Sequence, residues 1–114
     1  MEENTLVEDL LEQARRIIER RYRKGYHEVG AAIHTRSGRT YAAVHLEANV
    51  GRIAVCAEAV ALGMAAAEGD TEADYVVAVN SKGEVVSPCG MCRELIADYS
   101  PHAKIIVRRQ TGTP

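Results

Sequence analysis

The first patterned stretch of the chain runs from Leu6 to Tyr22. Leu6, Val7, Leu10, Leu11, Ala14, Ile17, Ile18 and Tyr22 recur at the spacing that lines up apolar side chains on one face of a helix. Thr5 and Glu8 stand at capping-box spacing at its front, and Gly25 closes the pattern. Val29 to Arg36 and Thr40 to Glu47 read as two strands joined through Ser37-Gly38-Arg39, a hairpin signal. After a loop around Gly51, the segment Ala54 to Glu68 is Ala-rich, lacks proline and ends at Gly69-Asp70, which predicts a buried helix. Tyr75 to Asn80 predicts a strand and Ser81-Lys82-Gly83 a turn. Val85 and Val86 lead into Pro88, a helix is expected from Cys89 to Tyr99, and Ile105 to Arg109 predicts a last strand. The order α-β-β-α-β-α-β predicts an α/β fold. Its expected form is a three-layer α/β/α sandwich, its mixed sheet built from an N-terminal β-hairpin and parallel crossovers.

Composition narrows this further. With 114 residues, 46% hydrophobic and 26% charged, the chain suits one globular domain, residues 1–114, and not two cores. No apolar run approaches the ~20 residues of a membrane span. Met1-Glu2-Glu3 is not the basic start of a signal peptide, so a soluble cytoplasmic protein is expected. A net charge of −2 and 4% aromatic residues match neither the basic field nor the stacking platforms of a nucleic-acid groove. The cluster Arg15, Arg16, Arg20, Arg21, Arg23 and Lys24 reads as a solvated helix face complementing the C-terminal dipole, in preference to a phosphate site.

The chemistry is concentrated in two segments, Val55-Cys56-Ala57-Glu58 and Ser87-Pro88-Cys89-Gly90-Met91-Cys92-Arg93-Glu94. In this reading Cys56 begins one helix, Cys89 begins another, and Cys92 follows one turn later. Backbone N–H groups at a helix start favour thiolates. Three thiolates held by two helix ends form a soft, rigid site suited to zinc, with a fourth position left open for water. Glu58, two residues past Cys56, points away from the ligand direction within the same turn, where it can contact that water as general acid and base. The spacing is the known signature of zinc deaminases: Cys or His, then x-Glu, then Pro-Cys-x-x-Cys. Two other readings stand beside it: a structural zinc completed by His27, His34, His45 or His102, and a redox pair with a separate buried Cys56.

At these residues the chain resembles the cytidine deaminase family, and within it the bacterial blasticidin-S deaminase branch. The resemblance covers Val29-Gly30-Ala31-Ala32, Val44 to Gly63 and Val85 to Tyr99. It implies zinc on Cys56, Cys89 and Cys92, with Glu58 catalytic. The implied reaction is hydrolytic deamination of the cytosine ring of a free nucleoside, which is a small-molecule partner and no nucleic acid. The family's Asn and Glu that hold the sugar correspond to His45 and Glu47, and His at this position matches the blasticidin branch. The resemblance further implies that the backbone N–H of Ala57 and the carbonyl of Ser87 read the base edge, and that His27 takes the place of the aromatic that stacks on it. Cytidine deaminases carry an Arg after the catalytic Glu, where this chain has Ala59. Arg93 matches a family position beside the thiolates, and Arg52 is expected to supply the missing cation. The family also continues past the last strand predicted here, so a more open pocket, or one covered differently by a neighbouring subunit, is expected. The family's assembly implies a homotetramer.

Overall fold

The computed structural model describes residues 3–47, 54–87 and 90–107, with only the backbone at 90 and 91. Helix α1 spans Glu3–Arg21, strands β1 and β2 span Val29–Thr35 and Thr40–Val44, and helix α2 spans Ala57–Ala67. Strand β3 (Ala73–Asn80), the short β4 (Val85–Val86), helix α3 (Gly90–Tyr99) and β5 (Lys104–Ile105) complete the order.

Among the described residues five strands form one sheet, with β2-β1-β3-β4 in a row and β5 also pairing with β3. The β1–β2 hairpin is antiparallel, with Ala32 opposite Ala42, and closes through a turn in which Gly38 takes φ 93°. Among the described residues only β5 runs parallel to its neighbour, setting Val76 beside Ile105. The crossover through α2 does not bring β2 and β3 together, because β1 lies between them and pairs with β3 antiparallel.

Strand alternation sorts the core into two layers. On one face Leu10, Ala14 and Ile18 of α1 pack with Ala32, Val77 and Val79. On the other, Ile33, Ala43 and Val76 meet Ala61, Leu62 and Ala65 of α2 and Ile96 of α3. Each large apolar side chain so buried contributes about 1.5–3 kcal/mol. This is the expected three-layer α/β/α arrangement. It brings α1 so close to β1 that a Cβ at Gly30 would stand 2.7 Å from the Ala14 carbonyl oxygen.

Several element boundaries differ from the sequence expectation. Helix α1 already includes Glu3, so Thr5 lies inside it and does not cap it. The early turn is tied down from outside: the Glu3 carboxylate accepts from Tyr75 and from Lys104, the latter at 2.8 Å. Arg15 is exposed yet not purely solvated, since its Nε donates to the Gly83 carbonyl at 2.9 Å and anchors the β3–β4 turn. Val85 and Val86, expected to be a lead-in, pair with Val79 and Ala78 as β4. Met64, although apolar, is 44% exposed. The far end of the expected last strand, Arg109, lies outside the described residues.

Candidate active site

The site is built where α2 begins. Helix α2 starts at Ala57, three residues later than the Ala-rich pattern predicts, because Ala54 and Val55 are used otherwise: Val55 exchanges two backbone hydrogen bonds of 2.9 Å with Leu46. That bridge fixes the approach of the chain, and Cys56 becomes the N-cap with extended backbone (φ −65°, ψ 148°) and no side-chain cap. The Cys56 side chain therefore closes over none of the first amide N–H groups of the helix, whose dipole leaves partial positive charge at this end. Ala57 and Glu58 follow, both buried, with Ala57 packed against Ala31 and Ala78 of the sheet.

A cavity of about 220 Å³ opens here, lined by Val29, His45, Glu47, Ala54, Val55, Cys56, Ala57, Glu58, Val86 and Ser87. Of the residues the sequence singled out, His45, Glu47, Cys56, Ala57, Glu58 and Ser87 thus meet on one wall-to-wall space. His27 does not line it. Its Nδ1–H donates to the His45 carbonyl at 2.9 Å, so the ring is fastened to the backbone beside the cavity.

Burial pushes the Glu58 carboxyl above its ordinary range, while a hydrogen bond from its own backbone N–H works in the opposite direction. A carboxyl that is 5% exposed and raised in this way sits nearer to the protonation balance a proton-transfer group needs. At the far end of the cavity the His45 Nε2 lies 3.7 Å from a Glu47 oxygen.

Cys92, on the first turn of α3, is buried and lines a second cavity of about 370 Å³ together with Cys56, Ala59, Leu95 and Asp98. The starts of α2 and α3 therefore bring Cys56 and Cys92 to one place. Arg93, next in the chain, is exposed. Cys89 and Arg52 lie outside the described residues, and among the described residues no three metal-ligating side chains stand together. The donor set nonetheless fits zinc: two thiols presented at helix starts, with Cys89 three positions before Cys92.

Residues 4–108 match the sequence model of the cytidine and deoxycytidylate deaminase zinc-binding region. The chain belongs to the cytidine deaminase family. It is 45% identical over 107 residues to a blasticidin-S deaminase from Bacillus cereus, covering 87% of this chain and 76% of that protein. With the cytidine deaminase of Mycoplasma genitalium the identity is 30% over 95 residues, 82% of this chain and 73% of the other. Among solved structures, the cytidine deaminase of Mycobacterium leprae superposes with a TM-score of 0.81 at 27% identity, over 89% of this chain and 87% of that one. The cytidine deaminase of Burkholderia pseudomallei gives 0.78 at 25% identity, over 98% and 88%. Family membership and the α/β fold expected from the sequence are thereby established. Sequence reasoning missed the Leu46–Val55 bridge that sets the entrance to α2. Its signal was weak, since a single bridged pair has no periodicity.

Proposed function

We propose that this deaminase-family chain hydrolyses the exocyclic amine of the cytosine ring of a free nucleoside, releasing ammonia. The observation that carries the reading is Glu58, buried in the first turn of α2 and lining the same cavity as Cys56. Cys56, Cys89 and Cys92 would hold zinc, which when bound would lower the pKa of water toward ~7 and so provide a nucleophile at neutral pH.

The residues of the chain do the rest. The Ala57 N–H and the Ser87 carbonyl bind the base edge and orient C4. Glu58 takes a proton from the attacking water and delivers it to ring N3, making C4 electrophilic. It then takes the second proton from the oxygen added at C4 and gives it to the amine; the C4–N bond breaks, ammonia leaves as the C4 carbonyl forms, and a uracil-type ring remains. One carboxylate acts as base and then as acid, and a raised affinity for protons suits both roles. Apolar Val29, Val55 and Val86 around it limit the water that competes for that proton. Arg52 offsets the negative charge of the thiolates where Ala59 replaces the family Arg, with Arg93 beside Cys92.

A nucleoside is favoured over a nucleotide because, among the described residues, the cavity lining carries two carboxylates and no lysine or arginine. A phosphate there would meet repulsion. The same lining and the net charge of −2 oppose a polynucleotide substrate. The working form is a cytoplasmic homotetramer. It buries the outward side of α2, where Gly63, Met64, Ala66 and Ala67 are exposed on a helix that is apolar all round.

An ammonia-release panel on zinc-verified protein tests the reading, with cytidine, deoxycytidine, blasticidin S and a cytosine-containing single strand as substrates. Turnover of at least one free nucleoside and none of the strand is expected. Release from the strand alone, or from nothing, contradicts it.

A further inference from the structure

A third cavity, of about 520 Å³, opens between the second half of α1 and the β3–β4 turn, and it shares no lining residue with the two cavities at Cys56. Its volume is that of a small-molecule site. Arg15, Glu19 and Tyr22 line it from α1 and the residue that follows, and Ser81 and Lys82 from the turn. The fold thus brings a lysine from a distant segment to one arginine of the basic helix end. Both cations stand on a braced frame. The Arg15 Nε donates to the Gly83 carbonyl at 2.9 Å, a bond that occupies neither terminal amino group of the guanidinium. Asn80 ties the turn together: its Oδ1 accepts from the N–H of Lys82 at 2.9 Å and of Glu84 at 3.0 Å, and its carbonyl accepts from the Gly83 N–H at 2.9 Å. Among the described residues neither Arg15 nor Lys82 is ion-paired with a carboxylate.

We infer that this cavity is a second ligand site, built for a nucleoside monophosphate. Two cations and the Ser81 hydroxyl offer donors to a compact group that only accepts, and a phosphate is that group. Positions 15, 19 and 22 fall on one helix face in that order, with about 10 Å of axis between the first and the last. The lining therefore changes along α1 from guanidinium to carboxylate to aromatic ring. A phosphate on Arg15 and Lys82 sets a sugar beside Glu19, which accepts from its hydroxyls, and a base on Tyr22, whose ring is 47% exposed. The single carboxylate in the middle opposes a longer chain, because a second phosphate would meet Glu19. The contrast with the catalytic cavity is one of charge: that lining carries carboxylates and, among the described residues, no lysine or arginine. The two sites thereby sort phosphorylated from unphosphorylated nucleosides, and binding here needs none of the deamination chemistry.

Calorimetric titration of the zinc-loaded full chain with adenosine 5′-monophosphate, adenosine and inorganic phosphate tests this. The purine keeps the measurement apart from any reaction at a cytosine ring. The monophosphate should bind at least about 10-fold more tightly than either adenosine or phosphate, since each of those uses only part of the lining. Lys82→Glu and Tyr22→Ala, both at exposed positions, should each weaken it about 10-fold. No binding of the monophosphate overturns the inference, and equal affinity for inorganic phosphate overturns the nucleotide assignment. Full affinity retained in both variants places the ligand elsewhere and overturns it as well. The three-ligand comparison on the unaltered protein decides by itself should a variant fail to fold.

Discussion

Replacing Gly30 by alanine should destabilise the protein, and the structure indicates by how much. Gly30 lies on β1 where α1 crosses it most closely. An added Cβ would stand 2.7 Å from the Ala14 carbonyl oxygen, 2.9 Å from the Ile18 Cβ and 3.2 Å from the Ile17 Cγ2. Non-bonded carbon atoms prefer about 3.5–4.0 Å, so α1 and β1 must separate by roughly half an ångström or more. Two of the three obstacles belong to backbone or Cβ positions and cannot swing aside. Overpacking of this kind costs about 1–3 kcal/mol, which lowers Tm by roughly 5–15 °C in a chain of this size. Calorimetry of the variant and the parent at equal zinc content is the assay. A Gly30→Ala protein that melts within a degree of the parent would refute the close α1–β1 packing.

Other outcomes follow from the same structure. Asp70 accepts from Thr35 and Ser37, each at 2.8 Å, and from Tyr41 at 3.1 Å, fastening the β1–β2 hairpin to the chain just past α2. The Thr35 and Ser37 hydroxyls hold its carboxyl below the ordinary carboxylate range, with help from Tyr41 and Arg39. Its stabilisation is therefore present above the unfolded-state pKa of about 3.9 and lost as pH falls through the lower folded value. Asp70→Asn should lower Tm at pH 7 and leave little difference at the acid end of that window; an equal deficit at both ends would refute the charge argument. Removing zinc with a chelator should abolish ammonia release, and zinc alone should restore it; undiminished release from metal-free protein would exclude a metal-dependent reaction. Arg52→Ala should weaken zinc retention about 10- to 100-fold in a competition titration, and an unchanged affinity would remove Arg52 from the site.

The sequence made the elements with strong periodicity legible. Leu10, Ala14 and Ile18 mark the buried stripe of α1 by their helical period, whereas the Ala-rich, proline-free run marks α2 by its composition. Family, fold and the Cys-Ala-Glu segment could be read for a related reason: the chemistry demands fixed residue types at fixed offsets. Features made by long-range pairing were not visible. Val85–Val86 is too short to alternate, and the Leu46–Val55 bridge joins residues across the loop around Gly51. The hydrogen bond from His27 to the His45 carbonyl was hidden on similar grounds, since offset along the chain says nothing about which ring nitrogen finds a carbonyl eighteen residues away. The hydrogen bonds to the His45 ring from the Glu28 and Val29 N–H groups were equally hidden, because a different segment contributes them.

The central claim is that Glu58 moves protons beside a zinc held by Cys56, Cys89 and Cys92. Its most direct test is Glu58→Gln, which keeps the shape of the side chain and removes its proton-accepting carboxylate. Metal content and ammonia release should be measured on the same preparation. Zinc should be retained as in the parent and turnover reduced about 10²- to 10⁴-fold. Ordinary turnover by this variant, or a parent protein that deaminates without binding zinc, would contradict it.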